Sequence, residues 1–117
     1  MLDREHRITS AADYKHVVRR GRRSVGGSTV IYTTKNPNGG LPRFGFIVAK
    51  TVGNAVTRNR VRRRLKALAY EAVHGDLGQN GSLIGCDLVF RAKPSAAVAS
   101  FADLKADVVH AVAQAAR

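Results

Sequence analysis

Apolar residues recur along the chain with two different periods, and the changes of period predict where helices and strands lie. Residues 10–20 carry apolar side chains on one side of a helix, at Tyr14, Val17 and Val18. Ser10, with Asp13 three positions on, forms a capping-box pattern, in which two side chains bond free backbone amides of the first turn. A first helix is therefore expected over these residues, with Gly21 as a left-handed C-terminal residue.

Short β-branched and aromatic stretches between turn formers predict the strands. The first is Thr29 to Thr34, and the turn formers at residues 36–40 predict a hairpin into a second strand, Arg43 to Thr51. Apolar residues stand on both sides of the second strand, so both of its faces are expected to be covered. A third strand is expected over Leu83 to Ala92, after a loop at residues 75–81.

The stretch GNAVTRNRVRRRLK, residues 53–66, combines a dense run of cations with a helical apolar pattern. One apolar stripe recurs near the helical period, at Val61, Leu65, Leu68 and Ala72. The opposite side carries Asn59, Arg63, Lys66 and Tyr70. A disordered basic tail has no need of such a stripe, so a folded helix that presents its charge to a partner is predicted.

A second capping box, Ser100 with Asp103, predicts a terminal helix, whose apolar residues are Phe101, Leu104, Val108 and Val112. The order is then a helix, two or three strands, the basic helix, a strand and a helix. This order favours an α+β fold, a small two-layer sandwich in which helices pack on a mixed sheet of about four strands. Residues 1–117 form a single domain, since no repeat or change of composition marks a second one.

Charge identifies the class of partner. Twenty Lys and Arg residues stand against eight Asp and Glu, a net charge of +12, which favours a polyanion. Half of these cations lie in two clusters, at residues 19–23 and 58–66. Arginines dominate both clusters, and their planar forks suit phosphate oxygens, so nucleic acid is favoured over an anionic membrane or an acidic protein. No apolar run approaches the roughly 18 to 20 residues that span a bilayer, and no signal peptide is evident, so a cytoplasmic location is expected.

Catalytic chemistry of the chain's own is poorly supported. The carboxylates are scattered, and only Asp103 and Asp107 are four residues apart on one helix. The four histidines have no metal-ligand spacing with each other or with Cys86, which is best interpreted as a small core residue. No protein-bound metal and no catalytic residue is predicted.

Residues 53–63, GNAVTRNRVRR, resemble the signature of the bacterial ribonuclease P protein subunit: Gly-Asn-Ala-Val, one variable residue, Arg-Asn-Arg, then further basic positions. A bare basic run would not reproduce the Gly-Asn-Ala-Val lead-in. Other segments match in the same order, so that the resemblance covers the whole chain: Arg7-Ile8, Tyr14, Gly21, Tyr32, the strand before residue 53 and Lys93-Pro94.

The resemblance implies a left-handed β-α-β crossover, which general rules of topology disfavour. It implies a protein, monomeric by itself, that assists a large catalytic RNA in the endonucleolytic removal of the 5′ leader from precursor tRNA. The catalytic centre and its Mg²⁺ are then expected mainly on the RNA subunit.

The resemblance also assigns residues to two sites. Residues expected at the RNA subunit are Gly53, Asn54, Arg58, Asn59, Arg60, Arg62, Arg63 and Lys66. Residues expected along a cleft for the single-stranded leader are Tyr14, Val18, Tyr32 and Lys50. Many members of the family have an aromatic residue where this chain has Val18, so apolar contact is expected there rather than stacking.

Two other classes of function fit the composition. A structural RNA binder, such as a ribosomal protein, would have the same charge without a cleft and without an effect on cleavage. A stand-alone basic nuclease would act without added RNA and depend on an acidic residue. A role at a membrane surface fits less well, because the basic helix lacks a bulky apolar face with Trp or Phe.

Overall fold

A computed structural model describes residues 2–35, 40–74 and 83–115. Three α-helices and a four-stranded mixed sheet make up the fold, which confirms the α+β prediction. The helices are α1 (Ala11–Arg20), α2 (Ala55–Val73) and α3 (Phe101–Ala115), and the strands are β1 (Arg22–Val25), β2 (Thr29–Lys35), β3 (Arg43–Ile47) and β4 (Cys86–Ala92). No helix within the described ranges is long and apolar enough to cross a membrane.

The sheet has the strand order β1-β2-β4-β3, so the predicted hairpin between β2 and β3 is wrong. Strand β4 lies between them, antiparallel to β2 and parallel to β3. The physical reason is burial: β4 is the most apolar strand, and the central position covers both its faces. The handedness of the β3-α2-β4 crossover stays a prediction.

The hairpin that does form joins β1 to β2, and β1 was not predicted. Its sequence, Arg-Arg-Ser-Val, is largely exposed at the edge of the sheet and has no apolar alternation that would mark a strand. Asp107 of α3 holds the turn, because its carboxylate accepts hydrogen bonds from the backbone of Gly27 and Ser28 and from the Thr29 hydroxyl.

Side chains alternate between two cores on opposite faces of the sheet. The larger core lies under α2 and α3 and includes Phe44, Leu88 and Phe90 from the strands. On the other face, a smaller core joins Val17 of α1 to Tyr32 and Val89. Helices α2 and α3 thus cover one face of the sheet, and α1 crosses the opposite face, where it forms one wall of a surface hollow.

The ends of several elements differ from the predictions. Strand β3 ends at Ile47 rather than Thr51, because a short 3₁₀ helix, Lys50–Val52, follows it, and β4 begins at Cys86 rather than Leu83. Gly21 is extended, with φ −73°, so the left-handed prediction is wrong. Glycine is needed there for space, since a Cβ would collide with the Val17 carbonyl oxygen. The loop predicted at 75–81, and residues 36–39 of the turn predicted at 36–40, lie outside the described residues.

The two capping boxes differ. At α3 the box is complete, since the Ser100 hydroxyl accepts from the Asp103 amide at 3.0 Å and the Asp103 carboxylate accepts from the Ser100 amide at 3.1 Å. At α1 the Ser10 hydroxyl accepts from the first-turn amides, but the Asp13 carboxylate pairs with Arg43 instead.

Candidate nucleic-acid interface

A tight turn between β3 and α2 sets the direction of the basic helix. Gly53 has φ 156° and ψ −163°, a conformation that is essentially restricted to glycine. The Asn54 side chain then caps the helix, because its Oδ1 accepts a hydrogen bond from the Thr57 amide at 2.9 Å. Lys50 is exposed on the 3₁₀ helix that leads into this turn.

Helix α2 buries its apolar stripe and exposes its charge. Val61, Leu65, Leu68 and Ala72 are fully buried, which confirms the predicted stripe. Asn59, Arg63 and Lys66 are exposed on the opposite side. The folded, anchored helix that the pattern predicted is therefore the structure of this segment.

The remaining arginines of α2 divide between its two flanks. On the flank toward α3, Arg60 donates to the Ala97 carbonyl at 2.8 Å and Arg64 donates to the Ala99 carbonyl at 3.1 Å. On the flank toward β3, Arg62 donates to the Asn59 side chain at 3.0 Å. Arg58 is half-buried, and among the described residues its Nε has no hydrogen-bond partner. The flank toward α3 is thus hydrogen-bonded to the protein's own backbone. On the flank toward β3, Arg62 borders surface hollows.

Tyr14 closes the exposed edge of the sheet. Strand β3 is an edge strand, and the Phe46 amide donates to the Tyr14 hydroxyl at 3.0 Å. The tyrosine ring lies directly over Gly45, where an added Cβ would come within 2.5 Å of a ring carbon. Glycine in β3 therefore permits the close approach of α1.

Several surface hollows meet at this edge, and three of them form a path from α1 to α2. The α1 hollow, about 470 Å³, is lined by Ala11, Tyr14, Lys15, Val18, Arg19 and Ile47. The β3-edge hollow, about 210 Å³, is lined by Arg7, Ile8, Thr9, Tyr14, Phe44, Phe46, Arg62 and Lys66. The α2 hollow, about 570 Å³, is lined by Val56, Asn59, Arg62, Arg63 and Lys66.

Shared residues join the hollows into one continuous surface. Tyr14 borders both the α1 hollow and the β3-edge hollow, while Arg62 and Lys66 border both the β3-edge hollow and the α2 hollow. The two predicted sites are therefore neighbours along one path, which runs from α1 across the edge of β3 to α2.

Tyr32 occupies a different position from the other cleft residues. Its side chain lies in the smaller core and is only 6% exposed, and its hydroxyl accepts a hydrogen bond from Arg91 at 3.3 Å. Tyr32 thus supports the floor beneath Val18 and Tyr14, and its ring faces are covered by neighbouring side chains.

Sequence reasoning did not assign several residues of this surface to a site. Arg19 belongs to the basic cluster at residues 19–23, but a cluster of cations in the sequence does not show which surface hollow each of them lines. Ile47 alternates with Phe46 along β3, so its place on the α1 face could have been inferred from that alternation. Arg7 is held by two hydrogen bonds to the Leu2 carbonyl, a contact that no sequence pattern signals.

Several of the described carboxylates have structural partners rather than a shared site. Asp87 makes two hydrogen bonds to Arg43, at 3.0 and 2.7 Å, and these bonds raise the pKa of the arginine. Within the ranges that the structure describes, no group of three or more His, Cys, Asp or Glu side chains could hold a metal ion. Cys86 is buried, as the core interpretation predicted, and burial raises the pKa of its thiol.

Comparison with known proteins identifies the family. The family model described as Ribonuclease P matches residues 2–116. The chain belongs to the ribonuclease P protein family. A ribonuclease P protein component from Clavibacter michiganensis is 42% identical over 117 residues, covering 100% of this chain and 98% of the relative. One from Kocuria rhizophila is also 42% identical over 117 residues, covering 100% and 97%.

Solved ribonuclease P proteins have the same fold. The Staphylococcus aureus protein superimposes with a TM-score of 0.77 at 24% identity, over 94% of each chain. The Thermotoga maritima protein superimposes with a TM-score of 0.71 at 17% identity, over 92% of this chain and 96% of that one. The family-model match over residues 2–116 confirms the family that the motif at residues 53–63 indicated.

Proposed function

We propose that this chain is the protein subunit of a ribonuclease P holoenzyme, in which it binds a catalytic RNA and the 5′ leader of precursor tRNA. The observation that carries the proposal is the continuity of the surface through Tyr14, Arg62 and Lys66. The catalytic RNA and the leader can therefore lie side by side on one surface, so the two binding tasks fit one assembly.

The exposed face of α2 is the proposed contact with the catalytic RNA. Arg63 and Lys66 are exposed, and Arg62 lies between the two hollows, so these cations can reach phosphate oxygens. Gly53 and Asn54 contribute by setting the direction of the helix. Arg60 remains a candidate contact, but its bond to Ala97 leaves fewer of its donors for RNA.

The α1 hollow is the proposed site of the leader. Its polar and apolar parts suit a single strand: Tyr14, Val18 and Ile47 offer apolar surface to bases, and Lys15 and Arg19 stand beside it for phosphates. Val18 gives apolar contact in place of a stacking ring. Lys50, exposed beyond the end of β3, is a candidate for a further phosphate.

Cleavage itself is assigned to the RNA subunit. Its bound Mg²⁺ would supply the activated water and stabilise the leaving oxygen, and no residue of this chain takes a proton in the proposed mechanism. The protein raises the affinity for precursor tRNA and so assists formation of the mature 5′ end. The free protein is proposed to be a cytoplasmic monomer.

Replacement of Tyr14 tests the leader site. Tyr14→Ala is expected to weaken holoenzyme binding of precursor tRNA by on the order of 1–3 kcal/mol, the value of one stacked base, and to leave mature tRNA binding nearly unchanged. Binding of both RNAs is measured at fixed salt and Mg²⁺.

Tyr14→Phe is the matched control, because it removes only the hydroxyl that accepts from the Phe46 amide and keeps the ring. It should retain most of the discrimination between precursor and mature tRNA. If Tyr14→Ala weakens both RNAs equally, Tyr14 acts only on the fold and the leader site is wrong.

A further inference from the structure

A second basic hollow lies on the other flank of α1. This β1 hollow, about 340 Å³, is formed where α1 ends and the β1–β2 hairpin begins, and it is lined by His16, Arg20, Arg22, Thr33, Thr34, Lys35 and Ala115. It shares no lining residue with the α1, β3-edge or α2 hollows. His16 and Arg20 lie one helical turn apart on one flank of α1, whereas Lys15 and Arg19 border the hollow on the opposite flank.

Backbone geometry forces these cations together. Gly21 joins α1 to β1 so tightly that a Cβ would collide with the Val17 carbonyl and crowd the backbone of Thr33. The residues on either side, Arg20 and Arg22, are therefore brought to the same hollow. Arg22 is anchored further by a 3.2 Å hydrogen bond from its Nη1 to the Gln114 carbonyl of α3.

No acidic side chain among the residues that the structure describes neutralises the hollow. Its lining includes three permanent cations and a histidine but no carboxylate. Across the described ranges, none of these four side chains forms an ion pair with an acidic residue. Like charges gathered in one concave surface repel each other and raise the local concentration of anions, while the Thr33 and Thr34 hydroxyls can donate to an oxygen ligand.

We infer that the β1 hollow binds a phosphodiester group of RNA, as a second anchoring point on the flank of α1 opposite the proposed leader site. The inference rests on the proposed function, which supplies two sources for the phosphate: a distal part of the leader, or the catalytic RNA. The leader is the favoured source, because α1 alone separates the two hollows and a strand in one can pass around α1 to the other.

The test compares holoenzyme affinity for two precursor tRNAs that differ only in leader length, one with a few leader nucleotides and one long enough to pass α1. The variants are Arg20→Gln, Lys35→Gln and the double change. Lys105→Gln is the control: it removes one positive charge from α3, from a lysine that pairs with Glu71 at 3.8 Å and lines none of the α1, β3-edge, α2 and β1 hollows. Arg20→Lys keeps the positive charge and tests whether charge alone maintains the affinity for RNA. Thermal melting establishes that each variant is folded.

For the long leader, which is single-stranded, the slope of log affinity against log salt should become shallower by about 0.7 for each phosphate that the substituted cation no longer neutralises. The short leader and Lys105→Gln should show no change, and Arg20→Lys should keep the slope. If the same change of slope appears in binding of the catalytic RNA, irrespective of leader, the phosphate belongs to that RNA and the site stands.

A different result is that the slopes stay unchanged for precursor tRNA and for the catalytic RNA while the wild-type protein still binds precursor tRNA more tightly than mature tRNA. That result would overturn this inference alone. A wild-type protein that makes no such distinction would overturn the proposed function, and the inference with it. The two failures are therefore distinguishable.

Discussion

Phe90→Ala is expected to lower the free energy of unfolding by about 3–5 kcal/mol, the usual cost of removing a buried phenylalanine. Phe90 is fully buried on the central strand β4. Its ring packs edge-to-face against Phe44 at 5.7 Å and Phe46 at 5.5 Å between ring centroids. Removal of the ring would therefore leave a cavity between the larger core and β3, the edge strand that carries the candidate interface.

Such a loss is large for a small domain, whose total stability is usually about 5–15 kcal/mol. Urea unfolding, followed by circular dichroism at constant salt, measures it. Phe101→Ala is the control, because Phe101 is 37% exposed at the start of α3 and should cost much less. Equal losses for the two variants would contradict the packing of Phe90 between Phe44 and Phe46.

We expect the two flanks of α2 to differ in how much they contribute to binding of the catalytic RNA. Replacing Arg63 and Lys66 together by Gln should make the slope of log affinity against log salt shallower by about 0.9 per cation for the catalytic RNA. Both side chains are exposed, so the free energy of unfolding should stay within about 0.5 kcal/mol of the wild type.

Arg60→Gln with Arg64→Gln is the matched pair, since it removes the same charge from the same helix. These arginines donate to the Ala97 and Ala99 carbonyls, so the pair should lower the free energy of unfolding by about 1–3 kcal/mol. Its effect on the salt slope should be the smaller of the two. Equal slope changes would contradict the division of α2 into an RNA-facing and a protein-facing flank.

Local patterns predicted the helices well. The stripe from Val61 to Ala72 and the complete capping box at Ser100 depend only on residues a few positions apart, and both are present. Strand pairing could not be predicted in the same way, because the position of β4 between β2 and β3 is decided by burial of the whole sheet. Strand β1 is exposed and basic, and its sequence has no alternation of apolar residues from which a strand could be predicted.

The candidate interface was predictable in its residue types and not in its geometry. The motif at residues 53–63 identified cations of α2, yet the bond from Arg60 to Ala97 depends on how a short 3₁₀ helix, Pro94–Ala97, packs against α2. The approach of Tyr14 to Gly45 joins residues far apart in sequence, and only a glycine inside a strand hinted at it. Tyr32 was expected along the cleft, but its burial follows from the position of β2 inside the sheet.

The most direct test of the proposed function is 5′ cleavage of a precursor tRNA at low Mg²⁺, with this protein alone, a bacterial ribonuclease P RNA alone, and the two together. The proposal predicts efficient cleavage at the mature 5′ end only in the mixture. Cleavage by the protein alone, after removal of contaminating RNA and nucleases, would contradict it and favour a stand-alone nuclease. A mixture no more active than the RNA alone would contradict it in favour of a structural RNA-binding role.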